Sequence, residues 1–123
     1  MADDLLTPVM FETIAMELPN FVDETKKAKG VVAFDILKNG KPVAQWTIDL
    51  RNPPGEVYEG PPKVRPNCSV TVEDEIFAYI AAGEMDGVKA FLQGKAKVKG
   101  DVMLMMKLQN LMKKVTDPYK SKI

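Results

Sequence analysis

Residues 31–50, VVAFDILKNGKPVAQWTIDL, set two apolar-rich runs on either side of a single Asn39-Gly40 pair, and the second run alternates apolar and polar side chains. Successive side chains of an extended chain point to opposite faces. Val32, Phe34 and Ile36 therefore share one face of a strand over 31–37. Ala44, Trp46, Ile48 and Leu50 share one face of a returning strand over 43–50, with Gln45, Thr47 and Asp49 on the other. Asn-Gly suits a two-residue hairpin because both turn residues need positive φ. The stretch predicts an antiparallel pair with one wet face and one apolar face, and the apolar face has to be covered.

The rest of the chain supplies the cover. Thr7-Pro8 predicts an N-cap followed by proline in the first helical position. Phe11, Ile14, Ala15 and Leu18 then recur at helical spacing until Pro19. Asn20 is expected to cap a short polar helix that runs to Lys29 and stops at Gly30. A short edge strand over 56–59 lies between two proline-rich turns, Asn52-Pro53-Pro54-Gly55 and Gly60-Pro61-Pro62. Cys68, Val70 and Val72 face inward on a strand over 68–72. Helices over 74–82 (closed by Gly83) and 86–92 precede a strand over 95–99, in which Lys alternates with Ala96 and Val98. Asp101 caps a last helix. Neither a repeat nor a linker divides the chain, so the expectation is one domain over 1–123 of the α+β class, its sheet mostly antiparallel.

That last helix carries Met103, Met105, Met106 and Met112, four of the chain's eight methionines. At 100° per residue Leu104, Met105, Leu108, Leu111, Met112 and Val115 fall on one arc, while Lys107, Asn110, Lys113 and Lys114 face away. Met103 and Met106 lie outside the arc, so the helix has more apolar surface than one core contact needs. Methionine is unbranched and polarizable and fits changeable apolar shapes. The surplus points to plain core packing or to a cavity that holds something apolar.

Composition narrows the chemistry. The 17 basic and 17 acidic side chains balance, which gives no field suited to nucleic acid. The charge is segregated, however: residues 89–123 hold nine lysines against two aspartates. Such a face is either simply solvated or drawn to anionic lipid surfaces. With no histidine, Ser-His-Asp and Cys-His nucleophiles and the usual zinc sites are excluded. Cys68 is the only cysteine, so no intrachain disulfide can form, and it reads as a small buried apolar residue. No apolar run reaches membrane-spanning length, and the N-terminus is acidic where a signal peptide would be basic.

Two local motifs, Phe-Leu-Gln-Gly-Lys (91–95) and Met-Lys-Leu-Gln-Asn-Leu (106–111), with Lys-Val-Lys-Gly-Asp between them, resemble the sterol carrier protein-2 domain, or non-specific lipid-transfer protein. The hairpin segments Phe-Asp-Ile-Leu-Lys-Asn-Gly-Lys and Ala-Gln-Trp-Thr-Ile-Asp-Leu resemble the same family, and the likeness covers roughly residues 8–115. The resemblance implies a five-stranded sheet with helices on one face, enclosing an apolar tunnel for fatty acids, fatty acyl-CoA, sterols or phospholipids. Phe91, Gln93, Leu108 and Gln109 are the matching positions, with the methionine-rich helix as a tunnel wall. Ser121, Lys122 and Ile123 resemble the Ser-Lys-Leu peroxisomal address, with Ile in place of Leu. Residues 117–123 are therefore expected to be a flexible tail read by the peroxisomal import receptor, which places the protein in the peroxisomal matrix and also in the cytosol.

Physical chemistry allows such a site. Burying an acyl chain gains roughly 0.8 kcal/mol per methylene. Sixteen carbons would thus gain on the order of 12 kcal/mol before the costs of immobilisation. Trp46, Ile48, Phe91, Met103, Met105, Leu108 and Met112 can supply walls, and Gln93 and Gln109 neutral hydrogen bonds to a headgroup. The sequence leaves open which of Met103, Met105 and Met112 turn inward. Lys95, Lys97 and Lys99 either blunt a sheet edge or make transient contact with anionic membranes. The leading reading is an intracellular lipid carrier that moves lipids between membranes or enzymes, with no cofactor and no covalent chemistry. A lipid-active enzyme using Tyr58, Tyr79, Asp35 or Asp49 is a competing reading, although alternation puts both aspartates on the wet face. The alternative kept beside the carrier is a non-binding interaction module, or chaperone, for peroxisomal lipid-metabolising enzymes.

Overall fold

The computed structural model describes residues 5–116. The tripeptide 121–123 and the whole expected tail lie outside the described residues. Five helices, α1 (Thr7–Glu17), α2 (Val22–Ala28), α3 (Asp74–Ala81), α4 (Gly87–Leu92) and α5 (Val102–Thr116), accompany five strands. The strands are β1 (Val31–Lys38), β2 (Lys41–Asp49), β3 (Glu56–Glu59), β4 (Cys68–Glu73) and β5 (Ala96–Gly100). They form one sheet in the order β3-β2-β1-β4-β5. Only β1 and β4 run parallel; the other pairs are antiparallel. The α+β class and the mostly antiparallel five-stranded sheet are as expected.

Register turns the alternation into rows. Phe34 pairs with Trp46 on one side and Val70 on the other, and Val70 with Val98. Ile36, Ala44, Val72 and Ala96 form the next row. The helices cover this face, and Phe11, Ile14, Val32, Ile36, Ile48 and Leu50 are fully shielded beneath them. Asn39 and Gly40 both adopt positive φ, as a type I′ hairpin needs, and the Glu73 carboxylate accepts from both turn amides at 3.0 and 3.1 Å.

Four local expectations are corrected. Thr7 does not cap α1. Its hydroxyl is buried without a partner among the described residues, and the Asp74 carboxylate, 67 residues away, accepts from the Thr7 amide at 2.8 Å and the Leu6 amide at 2.8 and 3.0 Å. Asn20 does not cap α2; it sits in a 3₁₀ turn (Leu18–Phe21) and donates to Glu17 at 3.1 Å. Thr47 is not on a wet face, because Gly60 folds over it and accepts from its hydroxyl at 3.1 Å. Ala15, counted with the apolar side of α1, is exposed, so Phe11, Ile14 and Leu18 alone form its contact.

The start of α5 is fixed from three sides. Asp101 accepts from the Leu104 amide at 3.1 Å, as an N-cap should. The Asp101 amide donates to the Asn67 carbonyl at 2.9 Å. Leu104 then packs against Gly30, whose φ of +133° and lack of a side chain make room for it; a Cβ there would lie 2.7 Å from Leu104 Cδ2.

Candidate functional site

All six residues projected onto the apolar arc of α5 are buried. They face two different surroundings. Between α5 and the β1-β4-β5 part of the sheet lies an apolar cavity of about 40 Å³. Phe34, Val70 and Val98 of one sheet row and Val72 and Ala96 of the next form its floor. Phe77 and Ile80 of α3 and Gly87 of α4 close its sides, and Met105, Leu108, Gln109 and Met112 form its roof.

The structure thus brings together four of the nine residues named from the sequence. Met105, Leu108, Gln109 and Met112 sit one helical turn apart or adjacent, so a single stripe of α5 presents all four. The other five lie elsewhere. Trp46 is in the core, with its ring stacked on Phe11 at 4.8 Å. Ile48 is fully buried in the row that contains Val32. Phe91 is partly buried against the core, Gln93 is exposed just past α4, and Met103 is 63% exposed on the outer side of α5. None of these five lines the cavity. The reason is angular: on a helix whose arc is set by Leu104, Leu108 and Leu111, Met103 points outward. The floor and sides were missed as a site although their inward direction was legible, because no local pattern tells which inward residues border a void. Among the described residues, this cavity is the apolar space that lies where the tunnel is expected.

The cavity contains one polar side chain. Gln109 is 6% exposed, and its Nε2 donates to Asp86 Oδ1 at 3.4 Å. Its Oε1 is buried with no hydrogen-bond donor among the described residues. Asp86 is the N-cap of α4 and accepts from the Val88 amide at 2.8 Å. That bond, with help from Gln109, the Lys89 amide and the Lys113 charge, holds the Asp86 carboxyl below its usual range. Gly87, next in the chain, is needed for space: a Cβ there would overlap the Gln109 Oε1.

The residues considered for acid–base chemistry do not meet at the cavity. Asp35 accepts from Gln45 at 2.9 Å. Asp49 is held by Arg51 through Nε at 3.0 Å and a terminal nitrogen at 2.7 Å, which lowers its pKa. The Tyr58 hydroxyl accepts from the Lys63 amide at 2.9 Å. Tyr79 donates to Glu75 at 3.1 Å, and this bond to a carboxylate raises its pKa. Burial, with a smaller contribution from the Asp101 charge, pushes the Cys68 thiol up to about 11, so it is a poor nucleophile at neutral pH.

Comparison with known proteins agrees with the motifs. The chain is 38% identical over 111 residues to the peroxisomal multifunctional enzyme type 2 of Mus musculus, covering 89% of this chain and 15% of that protein. It is 33% identical over 112 residues to the sterol carrier protein 2 of Homo sapiens, covering 89% of this chain and 20% of that one. It therefore spans one fifth or less of the length of these relatives. The solution structure of palmitated SCP2L2 from Aedes aegypti superposes with a TM-score of 0.64 at 30% identity, covering 84% of this chain and 90% of that one. Residues 11–113, which include every element from the middle of α1 to the last turn of α5, match the model of the SCP-2 sterol transfer family. The chain belongs to that family.

Proposed function

We propose that this protein is a lipid carrier, which takes up a single fatty acid, fatty acyl-CoA, sterol or phospholipid behind α5 and releases it unchanged to another membrane or enzyme. The observation that carries this reading is the apolar cavity closed on one side by Met105, Leu108 and Met112, with the buried amide of Gln109 as its one polar contact. Family membership supports it, and so does the palmitate named for the Aedes relative.

The size of the cavity sets the mechanism. Sites for lipid-sized ligands span roughly 300–1,000 Å³, and this one measures about 40 Å³. Uptake therefore enlarges the cavity, and affinity is reduced by the fraction of molecules already open. The methionine side of α5 is where this costs least, because unbranched side chains change rotamer without leaving apolar contact. Titration of the delipidated protein with a fluorescent sixteen-carbon acyl probe tests the reading. Saturation at one probe per chain, with the probe recovered chemically intact, is expected; absence of saturable binding would overturn it. That result would favour the interaction module.

The relatives named as peroxisomal enzymes support a peroxisomal address for this chain, carried by Ser121, Lys122 and Ile123 and read by the import receptor. A fluorescent fusion should collect in peroxisomes and disperse into the cytosol when the three residues are deleted. The lysines of β5 support transient contact with anionic membranes, so transfer from anionic vesicles should slow as salt rises.

A further inference from the structure

A second hollow, of about 170 Å³, lies between α2 and α5 and shares no lining residue with the apolar cavity. Its floor is Ala28 and Leu111, both buried. Its walls are Glu24 and Lys27 of α2 and Lys107, Asn110 and Lys114 of α5. Helical spacing brings them together: 24, 27 and 28 form one stripe of α2, and 107, 110, 111 and 114 form one stripe of α5. Three ammonium groups therefore share the groove with one carboxylate. Lys114 pairs with Glu24 at 3.5 Å, which accounts for that carboxylate. Lys27 and Lys107 are exposed and have no ion-pair partner among the described residues. Two like charges on facing helices repel each other unless an anion lies between them.

We propose that this groove is a binding site for a phosphate monoester, held outside the cavity between Lys27 and Lys107. The two uncompensated ammonium groups match the charge of a phosphate dianion. Its oxygens point in several directions, so they can accept from lysines of both helices and from the exposed Asn110 amide. A carboxylate has one charge and two oxygens on one edge, and fits less well. The bound anion bridges α2 to α5, beside the Glu24–Lys114 pair. The same chemistry is offered by a soluble phosphate monoester and by the head of a membrane lipid such as phosphatidic acid. The site does not depend on the carrier reading, because it lies on the other side of Leu111 from the cavity.

Glycerol phosphate is the free probe, titrated into the isotopically labelled full chain at pH 7.5 and followed through the backbone amide signals, with ionic strength held constant. Saturable shifts confined to residues 24–28 and 107–114 are expected, and acetate should give none. Lys27→Gln with Lys107→Gln should weaken binding roughly 3- to 10-fold, since both contacts are exposed. Glu24→Gln should tighten it roughly 2- to 5-fold, because it removes the competing carboxylate and frees Lys114. These are surface positions, so the fold is kept. Vesicles of phosphatidylcholine with and without phosphatidic acid form the second arm. Saturation by glycerol phosphate assigns the site to a soluble ligand. Binding only to phosphatidic acid vesicles, lost in the double lysine variant, assigns it to a lipid head. Absence of saturable binding in both arms overturns the proposal, and so does binding that the double variant leaves unchanged.

Discussion

Over β1 and β2 the core is closed by stacked rings. Phe11 of α1 lies between Trp46 at 4.8 Å and Phe77 at 4.6 Å, nearly parallel to both, with Phe34 edge-on at 5.3 Å. Behind β4 and β5 the same sheet is closed by Met105, Leu108 and Met112, and a cavity of about 40 Å³ remains. Both halves exclude water, but they respond differently to a change of shape. An aromatic ring has two torsions and a fixed outline, so a stack of them either fits or breaks. A methionine has three rotatable bonds to the last carbon beyond Cβ and follows a moving surface. Phe34 and Phe77 belong to both halves, and give the adaptable side a rigid wall to work against.

The largest effect is expected from Phe11→Ala, which removes a fully buried ring from three others and should cost about 3–5 kcal/mol in urea unfolding. A loss below about 2 kcal/mol would mean that this half is as adaptable as the other. Asp74→Ala should follow at about 2–3 kcal/mol, because it strands the Leu6 and Thr7 amides at the head of the helix that carries Phe11. Met105→Ala should cost about 2 kcal/mol, the low end for such a truncation, since neighbours can relax into a void already present. Equal losses for Met105→Ala and Phe11→Ala would erase the distinction between the halves.

Acid sharpens the comparison with a smaller effect. Asp86 on the cavity side and Asp49 at the end of β2 both have folded pKa values below the ordinary carboxylate value. Each contributes stability that is complete at neutral pH and is lost as pH falls through the folded value. Asp86→Asn and Asp49→Asn should each flatten part of the acid limb below about pH 4. The smallest expected signal is chemical. Cys68, buried and raised to about 11, should resist a thiol reagent at pH 8 in the folded protein and react at once in urea.

Much of the fold was written in local pattern. The hairpin over 31–50, the inward residues of β4 and β5 and the buried arc of α5 follow from periods of 2 and 3.6, which each segment carries alone. The site was half legible for the same reason: periodicity placed Met105, Leu108 and Met112 inward, and Gln109 beside them. It could not place Gln93, which a motif drew into the site and the structure leaves exposed.

The sequence by itself determined the elements, their apolar faces and, through two motifs, the family. Tertiary structure alone decided that Asp74 caps α1, that Gly60 covers Thr47, that Trp46 joins an aromatic stack, and how much space remains beneath α5. The reason is range. A face is a property of one segment, but a cap, a cover and a cavity arise where segments distant in sequence meet, and a cavity's volume is the small difference left by side chains from six elements packed together.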